Sequence, residues 1–162
     1  MSDFYTGFAS RFHRSRPAVF RVAEWLHEHG FYIAIPPMHL HERGENPMDY
    51  VDSGDLFITR DDGPRQRIEV KGLSTQFTDA LDWPYSSTLV SNKAAVDRAN
   101  GEVDAYILVS SDMDHIIIIK AETRQHWFVR ELTPKTTGKP EQFYSCPLEH
   151  IIFKDISRKK EQ

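Results

Sequence analysis

Apolar residues recur at helical spacing between Ser15 and Gly30 and at strand spacing through much of the remaining chain. Val19, Val22, Ala23 and Leu26 make one stripe of a helix. Ser15-Arg16-Pro17 is its start signal, a capping side chain followed by Pro in the first turn, and Gly30 is placed to stop it. Phe31–Ile35 then reads as a strand ended by Pro36-Pro37, and residues 36–53 as a polar, turn-rich loop. Leu56-Phe57-Ile58 and Arg67-Ile68-Glu69-Val70-Lys71 predict a hairpin. Its turn is Asp61-Asp62-Gly63-Pro64, with Gly and Pro expected to supply the required φ angles. No period is evident from Gly72 to Tyr85. Lys93–Gly101 reads as a helix capped by Ser91 or Asn92 and stopped by Gly101.

Val103–Val109 is apolar after Asp104, as a central strand covered on both faces would be. A strand, a helix and a strand in succession imply a crossover with the strands parallel. Ile116–Ile119 and His126–Val129 follow as strands, Thr133–Pro140 as a loop, and Tyr144–Phe153 as a small terminal element. Arg158-Lys159-Lys160 ends a frayed tail. The expected fold is α/β, a single domain over residues 1–162, with its core at residues 15–110 and further strands and the tail over 111–162.

Alternation along the hairpin carries the chemistry. Side chains alternate across a strand, so Glu69 and Lys71 share one face while Ile68 and Val70 take the other. Asp55 opens the preceding strand and is delivered to the same place by the turn. Two carboxylates and an ammonium on one sheet face suit a hard divalent cation with a charged assistant. An acid-x-Lys triplet alone arises by chance and signals nothing, so its position in an apolar strand, after an acid-led strand and a capped helix, is what gives it weight. The bland reading of the same residues is a solvated hairpin face with a surface Glu–Lys pair.

The set Asp55, Glu69, Lys71 resembles the PD-(D/E)XK nuclease superfamily, the fold of many restriction enzymes and Holliday-junction resolvases. Gly54 stands where the family usually has Pro. The resemblance implies a restriction-endonuclease-like mixed sheet built as helix, three strands, helix, strand, with additional C-terminal strands. It implies Asp55 and Glu69 as ligands of Mg²⁺ or Mn²⁺, with the Val70 carbonyl completing the set, and Lys71 as the catalytic lysine. Glu24, on the first helix, matches the extra helix-borne acid of several members, and either reaches the catalytic edge or faces water. The implied activity is hydrolysis of DNA phosphodiesters, with DNA favoured over RNA, and no organic cofactor.

A formal net charge of −4 does not advertise nucleic-acid binding, but the distribution is uneven. Arg11, Arg14, Arg16 and Arg21 form a stretch without an acid, and Lys93 sits in a helix first turn, where a cation opposes the macrodipole. Arg11, Arg14, Arg16 and Lys93 are the candidate phosphate contacts, against the plainer account of solvated cations. Trp83 and Tyr85 either stack on bases or plug the core edge, the latter being the usual fate of aromatics. His39 and His41 form an H-x-H pair without an evident third ligand, which favours a loop role over a metal site.

Cys146 is the only cysteine, which excludes an intramolecular disulfide and fits a reducing compartment. No apolar run approaches a membrane span, and Met1–Tyr5 lacks the features of a signal peptide, so a cytoplasmic protein with no membrane partner is expected. Without an evident recognition domain, cutting is expected to be structure-selective or directed by a partner, a homodimer mate or another protein. The alternatives are a catalytically inactive nucleic-acid-binding module on the same fold, or an interaction protein using its acidic loop at 41–62.

Overall fold

In the computed structural model the described residues are 16–36, 55–135 and 137–159. Helix α1 (residues 16–28) buries Ala18, Val19, Val22, Ala23 and Leu26, the stripe its sequence period requires. Its end is closed by the amides of Gly30, bonded to His27 O, and Phe31, bonded to Leu26 O. Gly30 takes φ +86°, a left-handed value that glycine adopts without steric cost.

Strand β1 (Tyr32–Ala34) is shorter than its sequence suggests and pairs antiparallel with β2 (Leu56–Thr59). β2 pairs antiparallel with β3 (Gln66–Gly72), with Leu56 opposite Ile68 and Phe57 opposite Arg67. The hairpin is the expected one, but its left-handed residue is Asp61 (φ 49°), not Gly63. Asp tolerates that conformation, and Gly63 N closes the turn on Arg60 O at 3.0 Å.

An irregular stretch leads to β4 (Ser87–Asn92) and α2 (Lys93–Ala99). Asn92 caps α2 by accepting from Ala94 N, and Asn100 (φ 48°) ends it. β5 (Ala105–Val109) is buried throughout and runs parallel to β3, as the strand–helix–strand order predicts. β6 (His115–Lys120) is antiparallel to β5, and β9 (Ile152–Asp155) to β6. The main sheet is mixed and six-stranded, in the order β1-β2-β3-β5-β6-β9. A second sheet, β4-β8-β7, consists of β4, β8 (Glu141–Pro147) and β7 (Phe128–Leu132).

Two expectations for the C-terminal region change. Residues 121–126 form a 3₁₀ helix, so the strand expected at His126–Val129 begins only at Phe128. Thr123 holds the turn, donating to Lys120 O at 2.7 Å and accepting from Trp127 Nε1 at 2.9 Å. The small terminal element expected at Tyr144–Phe153 is instead two strands in different sheets, β8 and β9.

The main sheet is covered on both faces. α1 packs over the side chains of Leu56, Ile58, Ile68, Val70, Ile107 and Val109. On the opposite face, Tyr106, Leu108, Ile117 and Ile119 pack against Phe77, Trp83, Val90, Val96 and Cys146. Trp83 is buried edge-on to Phe77 and donates to Ser87 O, whereas Tyr85 lies against Trp83 and is largely exposed. Among the described residues no helix is long and apolar enough to cross a membrane.

Candidate active site

Strand parity puts Arg67, Glu69 and Lys71 on the face away from α1, because Ile68 and Val70 pack under that helix. Extending the β2–β3 register by one pair sets Asp55 opposite Glu69 on that face. Residues directly opposite in an antiparallel pair hold their Cβ atoms about 4.5–5.5 Å apart, within reach of one shared ion.

The backbone contributes as well. Asp104 N donates to Arg67 O, and Leu73 N to Val109 O, so odd-numbered residues of β3 turn their main-chain groups toward β5. Even-numbered residues then turn theirs toward β2. Val70 N accordingly meets Asp55, donating to Oδ2 at 2.7 Å. The Val70 carbonyl leaves the strand on the same side as its N–H, toward Asp55.

Glu69 Oε1 accepts from Arg67 Nη2 at 2.9 Å, a pair mostly withdrawn from solvent. Arg67 also reaches Glu102 at 3.6 Å, and its main-chain N–H donates to Asp104 Oδ2. Tyr106 stands beside Glu69 in the β3–β5 register. Burial, and then the Glu69 charge, push its phenol up to about 12, so it keeps its proton at neutral pH.

Lys71 crosses to the second sheet. Its Nζ donates to Val90 O at 3.1 Å and to Ser91 Oγ at 2.7 Å. The β4–β8 register shifts between Leu89 and Ser91, and this irregularity presents both acceptors to one ammonium. Burial lowers the Lys71 pKa from 10.5 to about 8, with Glu69 and then Asp55 opposing the change. Neutral acceptors thus orient an ammonium that has lost most of its hydration.

Glu24 stands elsewhere. Its carboxylate accepts from Arg21 Nη1 at 3.0 Å and from Arg158 Nη2 at 3.0 and 3.2 Å, on the side of the sheet that α1 covers. Arg158 belongs to the stretch expected to fray. Arg21 is buried, bonded also to Met113 O and Ile156 O, and is therefore not part of an exposed basic arm. Arg16 is exposed over the Phe20 ring. Lys93 pairs with Asp97 at 2.5 Å and lies against Tyr144, so its first-turn position is answered by a local carboxylate. Arg11, Arg14, His39 and His41 lie outside the described residues, as does most of the acidic loop.

The site thus combines the expected Asp55, Glu69 and Lys71 with three neighbours that sequence reasoning missed, Arg67, Tyr106 and Ser91. Arg67 had a usable signal, being two residues from Glu69 on the same strand face. Among the described residues no group of three or more His, Cys, Asp or Glu gathers at one point, so a cation here would draw on two carboxylates, main-chain oxygen and water. No protein-family model, curated protein or solved structure matches the chain.

Proposed function

We propose that this chain is a metal-dependent nuclease of the PD-(D/E)XK kind, hydrolysing phosphodiesters of DNA. The observation that carries the reading is the hairpin register, which when extended by one pair sets Asp55 opposite Glu69, with the desolvated Lys71 ammonium on the same face. Two carboxylates and a carbonyl are the hard-oxygen set that Mg²⁺ or Mn²⁺ takes while keeping several waters. Each carboxylate offers about four lone-pair sites, of which Glu69 Oε1 takes the Arg67 bond and Asp55 Oδ2 the Val70 bond. Such bonds also orient ligating groups. Asp55, Glu69 and the Val70 carbonyl are the proposed ligands, and Glu24 is left out because two arginines hold it elsewhere.

When bound, the cation supplies Lewis acidity, making water a better nucleophile and offsetting phosphate charge. Lys71 has three donors, two of them committed to Val90 O and Ser91 Oγ. The third is available to the phosphate oxygen on which negative charge grows. Arg67 holds the Glu69 carboxylate against rotation, and Tyr106 borders it as a neutral phenol. The buried Cys146 suits a reducing cytoplasm.

Incubation with supercoiled, linear and branched DNA is the direct test. Hydrolysis is expected with Mg²⁺ or Mn²⁺, none with EDTA, and a loss of metal affinity in Asp55→Asn. Hydrolysis that persists in EDTA, or in Asp55→Asn at undiminished metal affinity, would sink the reading.

A further inference from the structure

The face that carries Asp55, Glu69 and Lys71 continues over β2 and β1, where its character changes. Along β2 the same-face residues are Asp55, Phe57 and Thr59, spaced about 6.6–6.8 Å apart. Register sets Ala34 and Arg67 beside Phe57. It sets Tyr32 beside Thr59, and one further pair of the hairpin sets Arg65 there too. The core cluster on this face is built on β5 and β6, through Tyr106, Leu108, Ile117 and Ile119, and includes no residue of β1 or β2. Tyr32 is 71% exposed. Arg65 is exposed too, and its guanidinium carbon stands 3.8 Å from the Phe57 ring centroid.

We propose that this half of the face binds single-stranded nucleic acid by stacking, one base on the Arg65–Phe57 pair and the next on Tyr32. The proposal rests on the nuclease reading for its setting and adds the substrate class. Three features carry it. Guanidinium planes and aromatic rings are the groups on which unpaired bases stack, and every base has a π-face to offer. Arg65 supplies exposed positive charge for a polyanion on the part of the face away from the carboxylates. Phe57 lies one same-face step from Asp55 along β2, and Tyr32 lies on β1 beside Thr59, the second step, so a strand stacked there has its backbone leading to the carboxylates. A duplex keeps its bases stacked on one another and gains nothing from such a platform.

The test measures anisotropy of a labelled oligothymidylate, about 12 nucleotides long, in EDTA, beside a duplex of the same length. Tyr32→Ala and Arg65→Ala are each expected to weaken single-strand binding by about tenfold or more, the usual worth of one stacked base. Tyr32→Phe should stay near wild type, because the ring and not the hydroxyl does the stacking. Duplex affinity should be unchanged in Tyr32→Ala and should fall less than single-strand affinity in Arg65→Ala, whose charge also meets duplex phosphates. Phe128→Ala, which removes an exposed aromatic from the other sheet, should change neither.

Equal losses for single strand and duplex would overturn the proposal, since they would report phosphate contact alone. So would unchanged single-strand affinity, or a Tyr32→Ala variant that shifts oligomeric state in sedimentation without losing affinity, which would make β1 an edge between copies. The two readings fail separately. A protein that binds oligothymidylate through Tyr32 yet hydrolyses no DNA loses the nuclease reading alone. One that cleaves duplex with Tyr32 and Arg65 dispensable loses the platform alone.

Discussion

Two charged clusters of similar composition flank the main sheet, and they differ in what surrounds them. Asp55, Glu69, Arg67 and Lys71 sit on the face turned toward the second sheet, while Glu24, Arg21 and Arg158 sit on the α1 side. In the first, the lysine is desolvated and oriented by neutral oxygens, so its proton affinity moves into the working range. In the second, the Glu24 pKa is lowered, first by the Arg158 hydrogen bond, but the carboxylate is open to water. Its partner Arg158 is 73% exposed. Exposed pairs of this sort contribute little to stability and do little to tune chemistry. An acid among arginines is therefore a candidate for chemistry only where burial sharpens its electrostatics.

The largest effect that can break this contrast is at Lys71. Lys71→Ala should lower kcat by about 10²–10³-fold, the usual loss when one donor to a developing negative charge is removed. Metal affinity should be spared, because the ammonium ligates nothing. Single-turnover cleavage with metal titration checks both, and an active Lys71→Ala variant would return the whole cluster to surface decoration.

The same lysine predicts opposite trends for activity and stability with pH. As the Lys71 ammonium deprotonates near pH 8, activity that needs it should fall with rising pH. Stability should move the other way. The folded chain releases this proton near 8 and the unfolded chain near 10.5, so between those values the unfolded state binds more protons. Unfolding then becomes harder as pH rises, by up to about 1.4 kcal/mol per pH unit, and Lys71→Met should abolish that slope. Ser91 sharpens the point. Its hydroxyl accepts from the charged form, so Ser91→Ala should lower the Lys71 pKa and carry the alkaline limb toward lower pH. Titration of the lysine side chain by NMR reads this directly, and an unmoved midpoint would remove Ser91 from the positioning of Lys71.

How much of this was legible follows from what is local. The hairpin, the α1 stripe, the Asn92 cap of α2 and the apolar β5 depend on neighbours a few residues apart, and pattern reasoning reached them, whereas α2 ends at Asn100, one residue before the expected Gly101. The face shared by Glu69 and Lys71 needs only strand parity. β4 did not show, because Ser-Thr-Leu-Val-Ser-Asn has no clean alternation and becomes a strand by pairing with β8, which starts 49 residues after β4 ends. The acceptors of Lys71 depend on an irregularity in that pairing, so no local signal could reveal them. Glu24 was ambiguous for the same reason: Arg21 is three residues away, but Arg158 is 134 residues away. Asp61 in place of Gly63 as the left-handed turn residue is a subtler miss, since both residue types tolerate that conformation.

Within the second cluster, Arg21 should matter to stability and not to chemistry. It is 8% exposed and donates to Met113 O and Ile156 O, tying α1 to the end of β9 and to the β5–β6 turn. Arg21→Met keeps much of the apolar stem and loses these bonds, leaving two carbonyls short of a donor. The expected cost is about 2–3 kcal/mol in urea unfolding, with kcat per folded molecule unchanged. A stability loss accompanied by a matching fall in kcat would mean that the two faces of the sheet are coupled.

Glu24 should give the smallest effect, and it tests the comparison most directly. Its place on the first helix made it a candidate ligand in the sequence, yet its carboxylate is spent on Arg21 and Arg158. Glu24→Gln keeps the shape and an oxygen acceptor for Arg21 while removing the charge. Metal affinity and kcat should match wild type, and the unfolding midpoint at neutral pH should stay within replicate scatter. Because its pKa is lowered in the folded state, whatever stability Glu24 contributes is present above the ordinary carboxylate range and disappears as pH falls through it. Wild type and variant should therefore match in acid as they do at neutral pH. Weakened metal binding in Glu24→Gln, with the fold intact, would show that the helix acid serves the ion after all and that the two clusters act as one.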